Sequence, residues 1–325
     1  MSQHNALTRL PYPVVTRLAP SPTGLIHLGN AYSFLLCWLL ARINNGKVLL
    51  RIDDIDPIRS RAEFVDAIKA DLEWLGLDWD AEIYQSKRQD LYESAIDQLA
   101  KNDLVYPCFC TRKELRNLAS APHIGDEGAP YPGTCYKLTP EERATRITAG
   151  KPYAMRLRCP DSDIEFEDMI YGVQRWKKAE YGGDFALKRS DGVWAYQFAS
   201  VIDDGELGVN LCLRGRDLLA STPRQIILST LAGYKIPAYA HIGLLLDHKG
   251  DRLAKRHNSL SIRSLREAGT SSADIIGSLA HMAGFNPDLS PAAPADFLKR
   301  STLVLPKKDL ALSEDYCERA NRVFA

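Results

Sequence analysis

The chain has 325 residues, 45% hydrophobic and 25% charged, with 41 Lys plus Arg against 41 Asp plus Glu. That length buries a sizeable core and the composition excludes a mainly disordered chain, while the balanced charge excludes a molecule-wide basic field, so any RNA contact has to be local. Residues 1–13 lack the basic-then-apolar layout of a secretory signal, and the most apolar stretch, 31–43, falls short of the roughly 20 residues that cross a bilayer, so a soluble cytoplasmic protein is expected.

Along the chain, Val14 to Leu18 reads as a short buried strand, followed by the turn-rich Ala19-Pro20-Ser21-Pro22-Thr23-Gly24 and an apolar helix from about Asn30 to Ile43. Lys47 to Ile52 reads as a second strand ending in Asp53-Asp54-Ile55-Asp56-Pro57, and Glu63 to Leu75 has helical spacing. Strands alternating with helices predict an α/β fold with a doubly wound parallel sheet. From Tyr106 to about Gly183 cysteine, proline, glycine and charge rise and the alternation is lost, which predicts an insertion splitting the sheet domain. The alternation returns through Asp184–Leu187, Trp194–Ile202 and Val209–Arg214, with a helix through Pro223–Leu231 and a strand through His241–Leu246. The expected divisions are a first catalytic half at 1–105, the insertion at 106–183, a second half at 184–263 and a short helical tail at 264–325.

Three groups of residues carry chemistry. The first, Pro20 to Asn30, lies between a strand and a helix N-terminus, where backbone N–H groups and the helix dipole favour anions. His27 can donate to a phosphate oxygen, and Gly29 lets a flat base approach the backbone. The same residues also suit a proline-bracketed turn capped by a histidine. The second group, Asp251 to Ser259, is a basic loop after the last strand, in which Lys255 is the leading cation for a departing pyrophosphate; a solvated loop reads the same way. The third is Cys108-x-Cys110 with Cys135 further on. The odd count of seven cysteines disfavours a disulfide framework, and three thiolates suit either a tetrahedral zinc site or ordinary buried positions.

A His-x-Gly loop after the first strand and a lysine loop after the last resemble the two signatures of class I aminoacyl-tRNA synthetases, in particular the glutamyl and glutaminyl branch. The resemblance runs from about Arg17 to Gly269 and includes Arg17-Leu18-Ala19-Pro20-Ser21-Pro22-Thr23-Gly24, Arg51-Ile52-Asp53-Asp54-Ile55-Asp56, Cys108-Phe109-Cys110-Thr111, Val201-Ile202-Asp203-Asp204, Arg214-Gly215, Thr222-Pro223-Arg224-Gln225 and Leu253-Ala254-Lys255-Arg256-His257. It implies a Rossmann-like catalytic domain, catalytic roles for His27 and Lys255, and ATP contacts from His27, Gly29, Asn30 and Lys255. It further implies a glutamate pocket of Arg17, Leu18, Ala19, Pro20, Ser21, Asp53, Tyr196 and Arg214, in which Asp53 faces the substrate ammonium and arginine forks suit the extra carboxylate. Members of this branch usually carry glutamate where Asp53 stands, and Arg252, Ala254 and Arg256 depart from the usual lysine loop.

Cys108, Cys110, Tyr131 and Cys135 resemble the structural zinc ligands of those glutamyl-branch members that lack an anticodon-binding domain, with His123 as the substitute for Tyr131. Only residues 264–325 follow the lysine loop region, which fits the same members; they attach glutamate to queuosine at the wobble position of tRNA(Asp). The expected function is therefore ATP-dependent activation of L-glutamate and its transfer to queuosine-bearing tRNA(Asp), by a monomer with one structural zinc ion and with Mg²⁺ entering alongside ATP. A truncated glutamyl-tRNA synthetase charging the 3′ end and a non-catalytic tRNA-binding or regulatory paralogue are the alternatives.

Overall fold

A computed structural model describes residues 6–111, 113–115, 131–251 and 260–312; Lys255 with its neighbours 252–259, and His123, lie outside the described residues. The first half runs β1 (Val15–Leu18), α1 (Leu28–Ile43), β2 (Lys47–Ile52), α2 (Ala62–Trp74), β3 (Ala81–Tyr84) and α3 (Gln89–Lys101). Then come β4 (Val105–Cys108), α4 (Pro140–Thr148), β5 (Ala154–Leu157), β6 (Ile164–Asp168), β7 (Gly172–Trp176), α5 (Lys178–Tyr181) and β8 (Phe185–Lys188). The rest comprises α6 (Tyr196–Glu206), β9 (Leu211–Gly215), α7 (Thr222–Leu231), β10 (Ala238–Ile242), β11 (Leu245–Leu246), α8 (Ile262–Glu267), α9 (Ser272–Met282) and β12 (Leu310–Ala311).

The predicted α/β architecture is present. Strands β1, β2 and β3 pair in parallel, and β9, β10 and β6 form a second parallel run, with β7 antiparallel at its edge. Side-chain and backbone hydrogen bonds join the two runs. Asn210 Oδ1 accepts the Val15 N–H at 2.8 Å, the Asn210 N–H donates to the Val15 carbonyl at 2.9 Å, and Thr16 Oγ1 donates to the Leu211 carbonyl at 2.8 Å. This gives the order β3-β2-β1-β9-β10, with the chain reversing direction of travel across the sheet between β1 and β9. A doubly wound sheet opens its ligand crevice at the carboxyl ends of the strands at such a point.

Helix α1 packs where β1 and β9 meet. Leu28, Leu35, Leu36, Leu39 and Leu40 have no exposed surface, and apolar residues recur all round the helix, as a helix inside a core requires. It ends at Asn44, and Asn45 at φ 51° turns the chain back into β2. No helix among the described residues is long and apolar enough to cross a membrane.

Strands β4, β5 and β8 form a separate antiparallel sheet, with β4 at the start of the expected insertion at 106–183 and β8 just beyond its end. Strand β8, expected from the sequence to resume the main alternation, is therefore part of this smaller sheet. Conversely, β6 and β7, expected inside the insertion, reach across to the main sheet, where Asp168 pairs with Tyr239. Short strands in both layers share one alternating pattern, so only the pairing partner distinguishes them.

Candidate active site

A cavity of ≈ 580 Å³ opens at the carboxyl ends of β1, β2 and β9. Arg17, Ala19, Pro20, Ser21, Asp53, Tyr196 and Arg214 line it, as do His27, Gly29 and Asn30. The two candidate pockets of the sequence thus open into one space. Leu18 is the exception. Successive side chains of a strand face opposite sides, so with Arg17 turned to the cavity the Leu18 side chain is fully buried in the core beneath it.

His27 is the N-cap of α1, and its Nδ1 accepts the Gly29 N–H at 3.1 Å while Asn30 returns a bond to the His27 backbone. In the neutral ring this places the proton on Nε2, the side on which the ring can donate a hydrogen bond. Capping and anion binding are thus compatible in one residue. A Cβ at Gly29 would lie 3.0 Å from His27 Cε1, so the first need for glycine here is room for the histidine ring itself. The His27 backbone also bridges to Ser261, and the Ile262 N–H donates to the Ile26 carbonyl at 2.8 Å. On the other side of residues 252–259, Asp247 Oδ1 accepts the N–H groups of Lys249 and Asp251 at 2.8 and 2.9 Å. One flank of residues 252–259 is thus closed by a local turn at Asp247, and the other is tied to the backbone at Ile26 and His27.

Beneath the cavity lies a network of buried charge. Arg51, fully buried in an apolar strand, donates to Asp53 Oδ1 and Oδ2 at 2.6 and 3.2 Å and to Asp204 Oδ1 at 2.7 Å. Asp204 also accepts from Arg17 Nε at 3.1 Å. Asp203 takes Arg88 Nε at 2.7 Å, Gln85 Nε2 at 2.8 Å and the Tyr92 hydroxyl at 2.9 Å. Buried charge is tolerated when it is paired and bonded in this way. For Arg17, burial works against the charged form, and Asp204, Cys212 and Tyr196 together outweigh it, so the guanidinium stays firmly protonated. For Asp53, burial prevails over Arg51 and pushes the pKa up to about 6. Arg214 is held differently: Nε donates to His241 Nε2 at 2.9 Å, Nη2 to Thr222 Oγ1 at 2.8 Å, and Nη1 reaches the Tyr196 hydroxyl at 3.5 Å.

Sequence reasoning had given no role to Arg51, Asp168, Asp203, Asp204 or His241. The signal was a charged or titratable residue inside an apolar run, as in Val48-Leu49-Leu50-Arg51-Ile52 and Ala238-Tyr239-Ala240-His241-Ile242, because such a residue needs a buried partner.

In the insertion the sulfurs of Cys108, Cys110 and Cys135 all lie within 4.8 Å of one another, with Cys110 Sγ 3.6 Å from Cys135 Sγ. Zinc–sulfur bonds of about 2.3 Å at tetrahedral angles separate sulfurs by about 3.8 Å, so the spacing suits a shared ion and is too long for a disulfide. The Tyr131 hydroxyl joins them, 3.5 Å from Cys108 Sγ and 3.6 Å from Cys110 Sγ, and accepts the Cys135 N–H at 2.8 Å. Burial raises the Cys110 thiol to about 11; at Cys135 burial acts the same way, but bonds from Tyr131 and the Phe109 N–H outweigh it and favour the thiolate. The three cysteines can hold a metal ion.

Residues 13–300 match the family described as tRNA synthetases class I (E and Q), catalytic domain. The chain belongs to that family. Relatives of this synthetase include a glutamyl-Q tRNA(Asp) synthetase of Nitratidesulfovibrio vulgaris, 53% identical over 316 residues that span 94% of this chain and 98% of the relative. A glutamate–tRNA ligase 2 of Nitrosococcus oceani is 44% identical over 264 residues, 78% of this chain but 56% of the relative. Among solved structures, a glutamate tRNA ligase of Elizabethkingia meningosepticum in complex with its amino acid superposes with a TM-score of 0.81 at 26% identity, covering 96% of the synthetase and 68% of that chain.

Proposed function

We propose that this synthetase activates L-glutamate with ATP and transfers it to queuosine at the wobble position of tRNA(Asp). The observation that carries the reading is the convergence of two buried guanidiniums, Arg17 and Arg214, and the Asp53 carboxylate on one cavity next to His27. That charge pattern complements an amino acid with a second carboxylate, because arginine forks match carboxylates and an anion opposes the ammonium. The RNA acceptor is supported by relatives named glutamyl-Q tRNA(Asp) synthetase that this chain matches over 86% to 94% of its length.

In the first step a glutamate α-carboxylate oxygen attacks the α-phosphorus of ATP, forming the adenylate as the bond to pyrophosphate breaks. His27 Nε2–H and the Lys255 ammonium stabilise charge growing on the phosphate oxygens, and Mg²⁺ enters with ATP as co-substrate. In the second step a hydroxyl of the RNA attacks the glutamyl carbonyl and AMP departs. Cys108, Cys110, Tyr131 and Cys135 hold one zinc ion that braces the insertion and takes no part in either step.

Labelled glutamate offered with tRNA(Asp) containing or lacking queuosine tests the reading. Labelling that requires queuosine and survives enzymatic removal of the 3′ adenosine is expected. The second reading, charging of the 3′ end, is favoured by the 44% identity to a glutamate–tRNA ligase; it replaces the first if trimming the 3′ adenosine abolishes labelling.

A further inference from the structure

The two arginines of the cavity differ in how their charge is met. Arg17 is paired with Asp204, whereas Arg214 has no carboxylate within ion-pair distance among the described residues. Its partners are a ring nitrogen and two hydroxyls, and only 6% of the residue is exposed. A buried guanidinium with neutral partners keeps its charge for an incoming anion. One of those partners is itself fixed. His241 Nδ1 lies 2.6 Å from Asp168 Oδ2, and both residues are fully buried. Asp168 Oδ2 also accepts the His241 N–H at 3.2 Å, and Oδ1 accepts the N–H groups of Ile170 and Tyr171 at 2.9 and 2.8 Å. A carboxylate so placed accepts a hydrogen bond from Nδ1–H and keeps the proton on that nitrogen, leaving Nε2 as a lone-pair acceptor facing Arg214 Nε.

We propose that Asp168 and His241 are positioning residues that lock the imidazole as a neutral acceptor, so that Arg214 is aimed, without losing its charge, at the side-chain carboxylate of the amino acid. This deepens the glutamate reading and rests on it. Asp168 placed directly against Arg214 would neutralise the guanidinium; one imidazole in between orients it and keeps the two charges apart. Burial, with Arg214 beside the ring, pulls the His241 pKa down to about 4 against the opposing pull of Asp168, consistent with a neutral ring. Asp168 ends the strand that the insertion lends to the main sheet, so this contact also ties the insertion to the amino-acid pocket.

Glutamate-dependent pyrophosphate exchange on the full chain tests the proposal. Asp168→Asn keeps an oxygen for the backbone N–H groups but releases the tautomer, so Nε2–H can face Arg214. The KM for glutamate should rise about tenfold or more, as loss of a hydrogen bond to a charged group predicts, while the KM for ATP and the melting temperature stay near wild type. His241→Gln, whose amide oxygen can accept from Arg214, should recover part of the loss seen in His241→Phe. A folded Asp168→Asn with wild-type glutamate KM, or with glutamate and ATP KM values rising together, overturns the proposal. If that variant does not fold, ¹⁵N-histidine spectra of the wild-type protein decide: an Nδ1–H, Nε2-acceptor tautomer at His241 supports it, and an Nε2–H tautomer overturns it. Wild-type protein that exchanges no pyrophosphate with glutamate refutes instead the glutamate reading beneath it, and with it the proposal.

Discussion

The first apolar helix and the insertion hold their functional residues by different means. Around α1, leucines with no exposed surface pack against the parallel sheet, each contributing about 1.5–3 kcal/mol by burial, and Arg17 and His27 stand on elements fixed by that core. Around the sulfurs of the insertion α4 buries none of its residues and the local core is a small cluster of Tyr106, Cys108, Phe109 and Cys135, whereas Val105, Leu157, Phe185 and Leu187 of β4, β5 and β8 pack into a larger core with α3 and α6. Where apolar surface is scarce, order depends on a few polar or metal-binding contacts, and removing one should disorder the neighbourhood without unfolding the sheet.

The largest separation of the two regions should come from the sulfurs. Structural zinc supplies about 10–16 kcal/mol of apparent binding energy to small metal-braced units, so Cys135→Ser or a strong chelator should release zinc and speed amide exchange around Cys108–Cys110 and Tyr131–Cys135, with β1 and α1 still protected. Native protein purified without chelator and free of zinc would refute the site. Cys37→Ser should leave the metal content as it is, because Cys37 lies in α1 against Thr16 Oγ1 at 3.0 Å. The converse lesion is Leu39→Ala, which opens a cavity in the main core and should cost about 2–5 kcal/mol in global stability with zinc retained; a denaturant midpoint within error of wild type would show that this core is not what holds the site. Lys255→Ala should touch neither region's stability yet slow adenylate formation about a hundredfold or more, since its donor acts mainly in the transition state. Pyrophosphate exchange within a few-fold of wild type would remove Lys255 from that role.

The same contrast governs what the sequence disclosed. Lys47 to Ile52 is a strand with the predicted bounds and α1 begins two residues before the expected Asn30, because long apolar runs leave the chain few alternatives. The insertion was legible only as a change of composition. Its strands are four or five residues long, and whether β6 or β8 joins the main sheet depends on contacts such as Asp168 with His241, more than 70 residues apart in sequence. In the site, the side chains that line the cavity could be given roles from motifs, whereas the pairing of the charges beneath them could not, although Arg51, Asp203 and Asp204 stand within the motifs themselves. Arg51 and Asp204 meet across 153 positions, and no local pattern announces such a pair.

Asp53 carries the smallest expected effect and the one most specific to this chain. Burial raises its pKa from 3.8 to about 6, with Arg51 opposing the shift. The folded value lies above the unfolded one, so the native state binds the extra proton between pH 3.8 and about 6. The stability linked to this group is fully present below pH 3.8 and is lost as pH rises through about 6. Its proposed function runs the other way, because the carboxylate opposes the substrate ammonium only when ionised. The glutamate KM should therefore rise as pH falls through about 6, up to tenfold per pH unit below it, while the ammonium of glutamate stays protonated throughout. His241 does not confound the KM readout, because the folded ring stays neutral until about pH 4; its linked stability, fully present above 6.5, declines as pH falls from 6.5 through about 4 and so opposes the Asp53 contribution in a stability titration. Asp53→Asn should raise the glutamate KM about tenfold at pH 7.5 and abolish the inflection near pH 6, whereas Asp53→Glu should retain both charge and inflection. An unchanged inflection in Asp53→Asn would assign the titration to another group and remove Asp53 from contact with the ammonium.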